Sequence, residues 1–521
     1  MQQIEIVTVT APLWLNCHGR NLRLLYLSQQ GSAGPQSLMS IHINLYEHLA
    51  NELGQLIASR VFAPGDRLPS IRHLAQQKRL SVSTVMQALR LMEDRGLVEA
   101  RPQAGYYVRQ RARMAAVTAD AEHLKEPAFV GINNLLMRVL KANEDTSIVQ
   151  LGSSWPLDEL LPIKRMQKTV AAVARRDASL LSTVSCYESN YPEFTRQITR
   201  RTLDWGHVEP GEIVVTGSCT EAISLCLRAV ARPGDTIAIE SATYFVLLQL
   251  IESLGMKALE IPTHPKTGPS IDALELAMSA GLVQAVLLIP NANNPLGCIM
   301  PEANKQRLAA LLSQHDIPLV EDDIYGDLCF TPERPWPVKA YDTSGNVMLC
   351  SSFSKAVSPG ARVGYVLAGR YAQDVAVLKM VSSGATSHFF QAVLADFLAG
   401  SAYENQLRKI RRALAQRIAR MSDAICAAFP QQCSISEPQG GFVLWIGMPE
   451  QVDALVLHQL AIEEGIALMP GQLFSASGKF SNYIRLNCGN AWSPRVETAV
   501  ARLGELVQRQ ADQPAVLRSA A

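Results

Sequence analysis

One lysine stands among small hydroxyl residues at a point where the chain leaves a short apolar run. Residues 351–365 contain Lys355, flanked by Ser352 and Ser354, with Arg362 following after a Pro-Gly break. Lysine amines form Schiff bases with aldehyde cofactors, and desolvation makes such an amine nucleophilic near neutral pH. Hydroxyls and a guanidinium are groups that bind phosphate. The stretch indicates a lysine that carries pyridoxal phosphate (PLP); a loop with one exposed lysine is the alternative.

A phosphate site is also indicated where another predicted strand turns into a helix. Residues 216–222 read Thr-Gly-Ser-Cys-Thr-Glu-Ala and follow an apolar run. The free N–H groups and the dipole of a helix N-terminus favour a phosphate at such a place. Ser218, Cys219 and Thr220 are the candidate residues. An ordinary helix cap is the alternative for this motif taken alone.

These two stretches, residues 216–222 and then residues 351–365 along the chain, resemble the cofactor site of fold type I, class I and II aminotransferases. The resemblance implies that Lys355 carries PLP. It implies that Ser352, Ser354 and Arg362 bind the cofactor phosphate together with residues 218–220.

The resemblance also assigns the groups around the cofactor ring. Tyr244 matches the aromatic residue that stacks on the pyridine ring, and Asn294, in Asn-Pro-Leu-Gly, matches the donor to the phenolic oxygen. Asp322 matches the carboxylate that keeps the pyridine nitrogen protonated, so that the ring acts as an electron sink. Asp323 is the alternative. Asp322 is preferred because Tyr325 matches the tyrosine that contacts the phenolic oxygen.

Two further residues match groups that lie outside the ring. Arg485, in Tyr-Ile-Arg-Leu-Asn, matches the arginine that binds a substrate α-carboxylate through a bidentate pair. Tyr187, in Ser-Cys-Tyr-Glu, matches the tyrosine that one subunit donates to the phosphate in its partner. Each match has an ordinary structural alternative, but ordered matches at predicted strand ends favour a cofactor site.

The first part of the chain has a different pattern. A helix is predicted at 41–59, a second from the Pro-Ser start at Ser70, and a third that follows the turn 80–84 and ends near Arg95 before Gly96. Two short strands, at 97–100 and 105–108, then flank a turn. The pattern is typical of a winged helix-turn-helix.

Four motifs in this region resemble GntR-type transcription factors: Pro-Gly-x-x-Leu-Pro-Ser-x-Arg-x-Leu-Ala, Ser-x-x-Thr-Val, Gly-Leu-Val and Gly-x-Tyr-Val. The resemblance implies that the third helix enters the major groove by its N-terminal end. The predicted DNA contacts are Ser81, Ser83 and Thr84 on phosphates, Arg72 on a guanine edge or a phosphate, and Arg101, Gln103 and Gly105 in the minor groove. Val82 departs from the family, which often has arginine there, so the operator is expected to be read differently. A winged helix used for protein contact is the alternative.

Charge is unevenly distributed. Residues 39–113 hold 11 Lys/Arg and 6 Asp/Glu, whereas residues 114–521 hold 35 and 40. A small basic head on a larger acidic body indicates that the head meets a polyanion.

From about residue 148, short β-like runs alternate with helical stretches, which predicts an α/β domain with a mostly parallel or mixed sheet. The predicted strands lie at 213–216, 236–240, 257–261, 284–289, 317–321, 347–350 and 363–367. From about residue 400, a long helix, strands and a closing helix resemble the small α+β C-terminal subdomain of fold type I enzymes. The predicted domains are an uncertain N-terminal extension (1–38), a winged helix-turn-helix domain (39–110), a linker (111–127) and an aminotransferase-like domain (128–521).

Composition bears on the compartment. The ten cysteines are scattered, with no Cys-x-x-Cys pair and no His cluster at zinc spacing, so we expect reduced thiols and no metal site. No apolar run is long enough to span a bilayer, and polar residues interrupt residues 14–27, so this stretch is a poor signal peptide. We expect a cytoplasmic protein without membrane contact.

Together, the two halves resemble the MocR-type subfamily of GntR regulators. This implies a regulator that binds an operator in double-stranded DNA and senses PLP or an amino compound, acting as a head-to-tail homodimer. The hypothesis is a population shift, in which an amine releases Lys355 from the cofactor, Arg485 clamps a carboxylate, and the spacing of the two DNA-binding heads changes. One alternative is an aminotransferase with an appended DNA-binding domain. Another is a DNA-binding protein with a cofactor-free body, against which Lys355, Asp322, Asn294 and Arg485 together argue.

Overall fold

The structure is a computed structural model of the chain. It describes residues 45–59, 61–101, 104–109, 115–116, 127–129, 136–137, 139–141, 145, 147–155, 158–182, 190–206, 208–331 and 333–512. By its internal contacts, the chain forms two compact units with a boundary between residues 111 and 112. The predicted extension 1–38, most of the predicted linker 111–127, Gln103 and Tyr187 lie outside the described residues.

The described residues of the first unit form three helices and a β-hairpin. They are α1 (Leu45–Ala58), α2 (Ile71–Lys78), α3 (Val82–Asp94), β1 (Val98–Arg101) and β2 (Gly105–Val108). Serine hydroxyls begin two of the helices: Ser70 accepts the N–H of His73 at 3.2 Å, and Ser81 accepts the N–H of Thr84 at 3.1 Å. Such caps satisfy N–H groups that have no partner inside the helix. Gly96, with φ 67°, turns the chain into the hairpin.

The core of this unit is built from apolar residues at helical spacing. Leu49 and Leu53 of α1 meet Val85, Leu89 and Met92 of α3, and all five are buried. The antiparallel hairpin closes one side through Val98 and Val108, which are paired in register. The three predicted helices and the two wing strands are therefore present, but α3 begins at Val82, inside the predicted turn 80–84, because Ser81 caps it.

The second unit contains a nine-stranded sheet and two smaller sheets. Its strands are β3 (Ala115–Ala116), β4 (Ala128–Phe129), β5 (Val149–Gln150), β6 (Ile213–Thr216), β7 (Thr236–Ser241), β8 (Lys257–His264), β9 (Gly268–Pro269), β10 (Ala285–Leu288), β11 (Leu319–Asp322), β12 (Val347–Ser352), β13 (Gly364–Leu367), β14 (Ser434–Ile435), β15 (Val443–Gly447), β16 (Ile466–Ala467), β17 (Met469–Pro470) and β18 (Tyr483–Asn487). The large sheet has the order β4-β8-β7-β10-β11-β12-β13-β6, with β9 paired to β8. All seven strands predicted for it are present.

Helices cover this sheet and the smaller ones. They are α4 (Ile163–Arg176), α5 (Pro192–Thr202), α6 (Cys219–Val230), α7 (Phe245–Ser253), α8 (Ile271–Ser279), α9 (Glu302–His315), α10 (Ala372–Ser383), α11 (His388–Leu398), α12 (Ala402–Ala428), α13 (Ala454–Glu463) and α14 (Pro494–Ala511). The strands β6, β10, β11 and β12 are buried along their whole length, as expected for a sheet covered on both faces.

Strand direction brings the segments after several strands to one edge of the large sheet. β7, β10, β11 and β12 pair in parallel. β13 is antiparallel to both β12 and β6, so β6 runs in the same direction as β12. Ligands of open α/β sheets bind beyond the carboxyl ends of the strands. The predicted cofactor residues follow these ends.

The C-terminal part forms a smaller layered subdomain. β17, β18, β15, β14 and β3 make a five-stranded sheet, and α12, α13 and α14 pack around it. Trp445 of β15 is fully buried and stacks on Tyr483 of β18, with ring centroids 5.3 Å apart. The predicted α/β body with a small α+β subdomain is confirmed. Within the described ranges, no helix is long and apolar enough to cross a membrane.

Candidate functional site

Lys355 lies in the turn after β12 and is buried. Its Nζ donates to the carbonyl oxygen of Ser154 at 2.6 Å and lies 3.6 Å from the centre of the Trp155 ring. Burial lowers the pKa of Lys355 from 10.5 to about 7; the charge of Arg485 acts in the same direction, and Asp322 opposes it. A lysine in this state is a nucleophile near neutral pH.

The two adjacent aspartates at the end of β11 have different surroundings. Asp322 is buried and accepts hydrogen bonds from the N–H of Ile324 at 3.1 Å and from the Cys219 thiol at 3.4 Å. Burial raises the pKa of Asp322 to about 6, opposed by Ile324, Cys219 and Lys355. Asp323 instead accepts from the side chains of Asn291 and Arg334. The geometry favours Asp322 over Asp323 as the carboxylate on the lysine side of the strand end.

The turn from β6 into α6 packs against the start of β13. Ser218 caps α6 by accepting the N–H of Glu221 at 3.1 Å. A Cβ on Gly364 would lie 2.5 Å from the carbonyl carbon of Ser218, so only glycine permits this approach. Thr220 is exposed, whereas the Cys219 side chain is buried on Asp322. The Cys219 thiol thus lies on the Asp322 carboxylate.

The remaining predicted phosphate residues lie in the stretch between β12 and β13. Ser352 and Ser354 are buried, and the Ser352 hydroxyl accepts the N–H of Ser354 at 3.4 Å. Arg362 is exposed, with a left-handed backbone at φ 51°. A cation at the surface of this stretch is available to an incoming phosphate.

Three buried or half-buried side chains surround the same region. The Asn294 amide is buried beside the Tyr325 hydroxyl. Burial raises the pKa of Tyr244 and of Tyr325, and the charge of Arg485 opposes both shifts. Buried amide and hydroxyl groups need hydrogen-bond partners, which a ligand oxygen can supply. These groups fit the ring and phenolic oxygen of PLP.

Arg485 is fully buried on β18, and its hydrogen-bond acceptors are neutral. Nη2 donates to the carbonyl oxygens of Gly152 at 2.5 Å and Ser153 at 3.1 Å, and Nη1 donates to the Ser154 hydroxyl at 3.0 Å. Its guanidinium carbon lies 5.4 Å from the centre of the Phe474 ring, and its Nε has no partner. In the described part of the chain no carboxylate pairs with Arg485. Burial lowers its pKa.

Residues 152–155 contact both cations of the site, and sequence reasoning missed them. Their letters, Gly-Ser-Ser-Trp, carry no pattern that links them to Lys355 or Arg485, which lie about 200 and 330 positions further on. In sequence, only the isolated Trp-Pro after a run of small residues marks the segment. The structure thus brings together Lys355, Asp322, Cys219, Tyr244, Tyr325 and Arg485 with a segment from outside the predicted motifs.

The first unit presents its predicted DNA-binding residues at the start of α3. The Ser81 hydroxyl lies 2.8 Å from that of Ser83 and 2.7 Å from that of Thr84, and Val82 is 50% exposed beside them. Arg72 of α2 is exposed. Because Ser81 already accepts an N–H as helix cap, its hydroxyl has only its proton left to offer a phosphate.

The wing holds two more of the predicted contacts. The Arg101 guanidinium lies 4.3 Å from the centre of the Tyr107 ring, and its Nη2 is 2.7 Å from a Glu99 carboxylate oxygen. Gly105 begins β2 with φ 105°, a conformation that favours glycine. The Glu99 carboxylate therefore occupies part of the hydrogen-bonding capacity that Arg101 would use in the minor groove.

The fold and this site define the second unit as a PLP-dependent aminotransferase-like domain. Residues 147–503 match the family described as aminotransferase class I and II. The structure is similar to Pyrococcus horikoshii kynurenine aminotransferase, with a TM-score of 0.68, 25% identity, and coverage of 73% of this chain and 95% of that one. It is also similar to LysN, the α-aminoadipate aminotransferase of Thermus thermophilus complexed with N-(5'-phosphopyridoxyl)-L-leucine, with a TM-score of 0.66, 25% identity, and coverage of 72% and 95%. PLP is the cofactor of this domain, as predicted.

Most of the chain also matches proteins that combine both units. Residues 45–108 match the family described as bacterial regulatory proteins, gntR family. The uncharacterized HTH-type transcriptional regulators YjiR and YdcR of Escherichia coli are 36% identical over 467 residues and 37% identical over 466 residues, each covering 89% of this chain and 99% of the relative. The chain belongs to the GntR regulators of MocR-type architecture. It is a DNA-binding transcriptional regulator with a PLP-binding aminotransferase-like domain.

Proposed function

We propose that the operator affinity of this regulator is set by PLP bonded to Lys355 and by an amine whose carboxylate binds Arg485. The observation that carries the proposal is a buried lysine beside a buried guanidinium that has no carboxylate partner in the described chain. PLP supplies an aldehyde that bonds amines and a ring that withdraws electrons. The residues of the chain bind the cofactor, orient it and bind the carboxylate of the amine.

Lys355 is suited to exchange between the cofactor and an incoming amine. With a pKa of about 7, about half of its amines are uncharged at pH 7. Asp322, with a pKa of about 6, is mostly ionised at the same pH. An ionised carboxylate stabilises a protonated ring nitrogen. The pair therefore holds one neutral nucleophile and one anion in the same buried space.

Arg485 selects ligands that carry a negative charge. A buried cation paired only with neutral oxygens keeps much of its desolvation penalty, and an anion in a bidentate geometry would offset more of it. Two aromatic rings, Phe245 and Phe474, lie near its guanidinium carbon and limit the approach of water. An amino acid satisfies Lys355 and Arg485 together, so amino acids are the proposed class of effector.

A homodimer is part of the proposal. Helix α10 exposes Val377, Met380 and Val381 at 51%, 42% and 66%, and their spacing places them on one stripe of the helix. Exposed apolar stripes of this kind are typical of protein–protein interfaces. The proposed partner at this stripe is a second copy of the chain. We propose that the dimer binds DNA in the cytoplasm.

The proposal predicts three different operator affinities. Binding of operator DNA is measured by fluorescence anisotropy for the protein without cofactor, with PLP, and with PLP plus an amino acid from a panel, while sedimentation of the same samples reports the dimer. We expect at least one amino acid to change the operator Kd by about fivefold or more, as for ordinary allosteric coupling. Equal Kd values in all three states, or monomers only, would contradict the proposal. Sustained turnover with an amino donor and a keto acceptor would instead favour an aminotransferase.

Arg72→Ala is predicted to weaken operator binding by about tenfold, because Arg72 is an exposed cation on the helix before α3. Anisotropy titrations at several salt concentrations separate the two roles considered for it. A phosphate contact lowers the salt slope by about one for all sequences, whereas a guanine contact relaxes specificity at one position. Lys409→Ala, at an exposed position of α12 in the second unit, is the matched control and should leave Kd unchanged.

A further inference from the structure

Four consecutive residues, Gly152–Trp155, cover both cations of the cofactor site; we name them the strap. The strap places the carbonyl oxygens of Gly152 and Ser153 and the hydroxyl of Ser154 on Arg485. It places the carbonyl oxygen of Ser154 and the ring of Trp155 on Lys355. One short segment therefore interacts with the two groups to which the proposed effector binds.

The strap is held from one side by the strand that carries Arg485. The Asn487 side chain donates to the Ser153 hydroxyl at 2.6 Å and to the carbonyl oxygen of Trp155 at 3.0 Å. The Asn487 backbone N–H donates to the carbonyl oxygen of the buried Leu151 at 2.6 Å. Residues two apart on a strand face the same way, so Asn487 and Arg485 present one surface to the strap.

The hydrogen-bonding capacity of Arg485 limits what else can bind there. A guanidinium binds a carboxylate bidentately through Nη2 together with either Nη1 or Nε. Nη2 has two protons, and the carbonyl oxygens of Gly152 and Ser153 accept from this atom. A bidentate carboxylate and the complete strap are therefore mutually exclusive on Arg485.

Part of the strap is poorly packed. Trp155 is 47% exposed although its ring lies over the Lys355 amine. Its contact with that amine depends on charge, and the amine loses its charge as pH rises through the neutral range or when it bonds the cofactor. The contact of Trp155 with Lys355 is thus the weakest contact between the strap and the cofactor site.

We propose that the strap is an internal competitor of the effector: a carboxylate ligand binds Arg485 by displacing Gly152 and Ser153, and this displacement uncovers Lys355. The inference rests on the proposed role of Arg485 as the carboxylate site. In this proposal, the contacts of Ser154 and Trp155 stabilise the bound strap and so raise the concentration of ligand that is needed to displace it. An amine without a carboxylate leaves the strap on Arg485.

The test uses Ser154→Ala and Trp155→Ala in the full-length protein loaded with PLP. The probes are L-alanine and ethylamine, which differ by the carboxylate, and binding is followed by the absorbance of the cofactor. Each variant is expected to bind L-alanine more tightly. Ser154→Ala should do so by about threefold to thirtyfold, as the loss of one charged hydrogen bond implies. Trp155→Ala should do so by less, because Lys355 has lost the charge under the Trp155 ring once it bonds the cofactor. Ethylamine binding should change much less. Weaker L-alanine binding would show that the strap holds the ligand, and would overturn the proposal.

A second readout measures strap contact with Arg485 without any effector. Phenylglyoxal modifies accessible arginines, and peptide mass spectrometry gives its rate at Arg485. We expect a severalfold faster rate in both variants, and an unchanged rate would overturn the proposal. Trp336→Ala is the matched control, because Trp336 is 43% exposed elsewhere in the same unit. If the rate rises but the two probes respond alike, the strap covers Arg485 and it is the carboxylate site of the proposed function that fails.

Discussion

Lys355→Ala abolishes the visible absorbance band that PLP gives when it is bonded to the protein, and this is the largest effect expected from any single change in the chain. Lys355 is the buried amine at the carboxyl ends of the parallel strands, and its pKa of about 7 provides the uncharged form that bonds an aldehyde. The measurement is a spectrum of wild type and variant after PLP is added and the excess is removed. A band of wild-type intensity in the variant would assign the cofactor to another lysine.

Two controls separate chemistry from folding in that experiment. Lys355→Arg keeps a cation in the pocket but has no amine that deprotonates, so it too should lack the band. Lys409→Ala removes an exposed lysine of α12 and should keep the band unchanged. Operator binding without cofactor should survive in all three variants if the first unit folds normally, which a far-UV circular dichroism melt verifies.

Arg485→Gln reduces the affinity for L-alanine by about 30-fold to 4,000-fold, because it removes the buried charge to which the carboxylate binds. Truncating one partner of a buried charged pair costs about 2–5 kcal/mol, and each 1.4 kcal/mol is about tenfold in affinity. Ethylamine lacks the carboxylate, so its affinity for the variant should stay within about threefold of wild type on the same scale. Absorbance titrations of the PLP-loaded protein with both amines give the comparison directly.

The variant Arg485→Lys tests whether the shape of the guanidinium contributes to carboxylate binding in addition to its charge. Arg485→Lys keeps the positive charge but loses the planar fork, so its affinity for L-alanine should fall between those of wild type and Arg485→Gln. Arg420→Gln is the matched control, since Arg420 is an exposed arginine of the same subdomain that lies over Trp492. Equal losses for L-alanine and ethylamine in Arg485→Gln would mean that the side chain supports the fold of the pocket and does not select carboxylates.

Most of the architecture follows from local patterns. The Pro-Ser pair predicts a helix start at Ser70, and in the structure the Ser70 hydroxyl caps α2. The cap at Ser81 was not predicted, because the sequence analysis assigned residues 80–84 to a turn. The seven apolar runs of the large sheet were recognisable because a strand buried on both faces is continuously apolar. The order of the PLP motifs along the chain then indicated one fold, which the relatives and the solved structures confirm.

Local sequence pattern does not determine the different surroundings of Asp322 and Asp323. The two residues are adjacent and chemically identical, and successive strand residues point to opposite sides. Only the packing of α6 and of the loop after β11 places Cys219 on Asp322 and Arg334 on Asp323. The sequence preferred Asp322 through its spacing to Tyr325, and the surroundings of the two carboxylates favour the same residue.

Sequence alone was enough to determine which elements form, because capping, periodicity and buried runs act over a few residues. The resemblance of its motifs to the aminotransferases was also enough to nominate the amine, the carboxylate and the phosphate donors that PLP needs. The tertiary structure alone decided which groups meet: the strap reaches Arg485 across about 330 residues and Lys355 across about 200. It also decided their charge states, since burial sets the pKa of Lys355 near 7 and leaves Arg485 with neutral partners. Desolvation depends on every chain segment that packs around a group, and no local stretch of sequence contains that information.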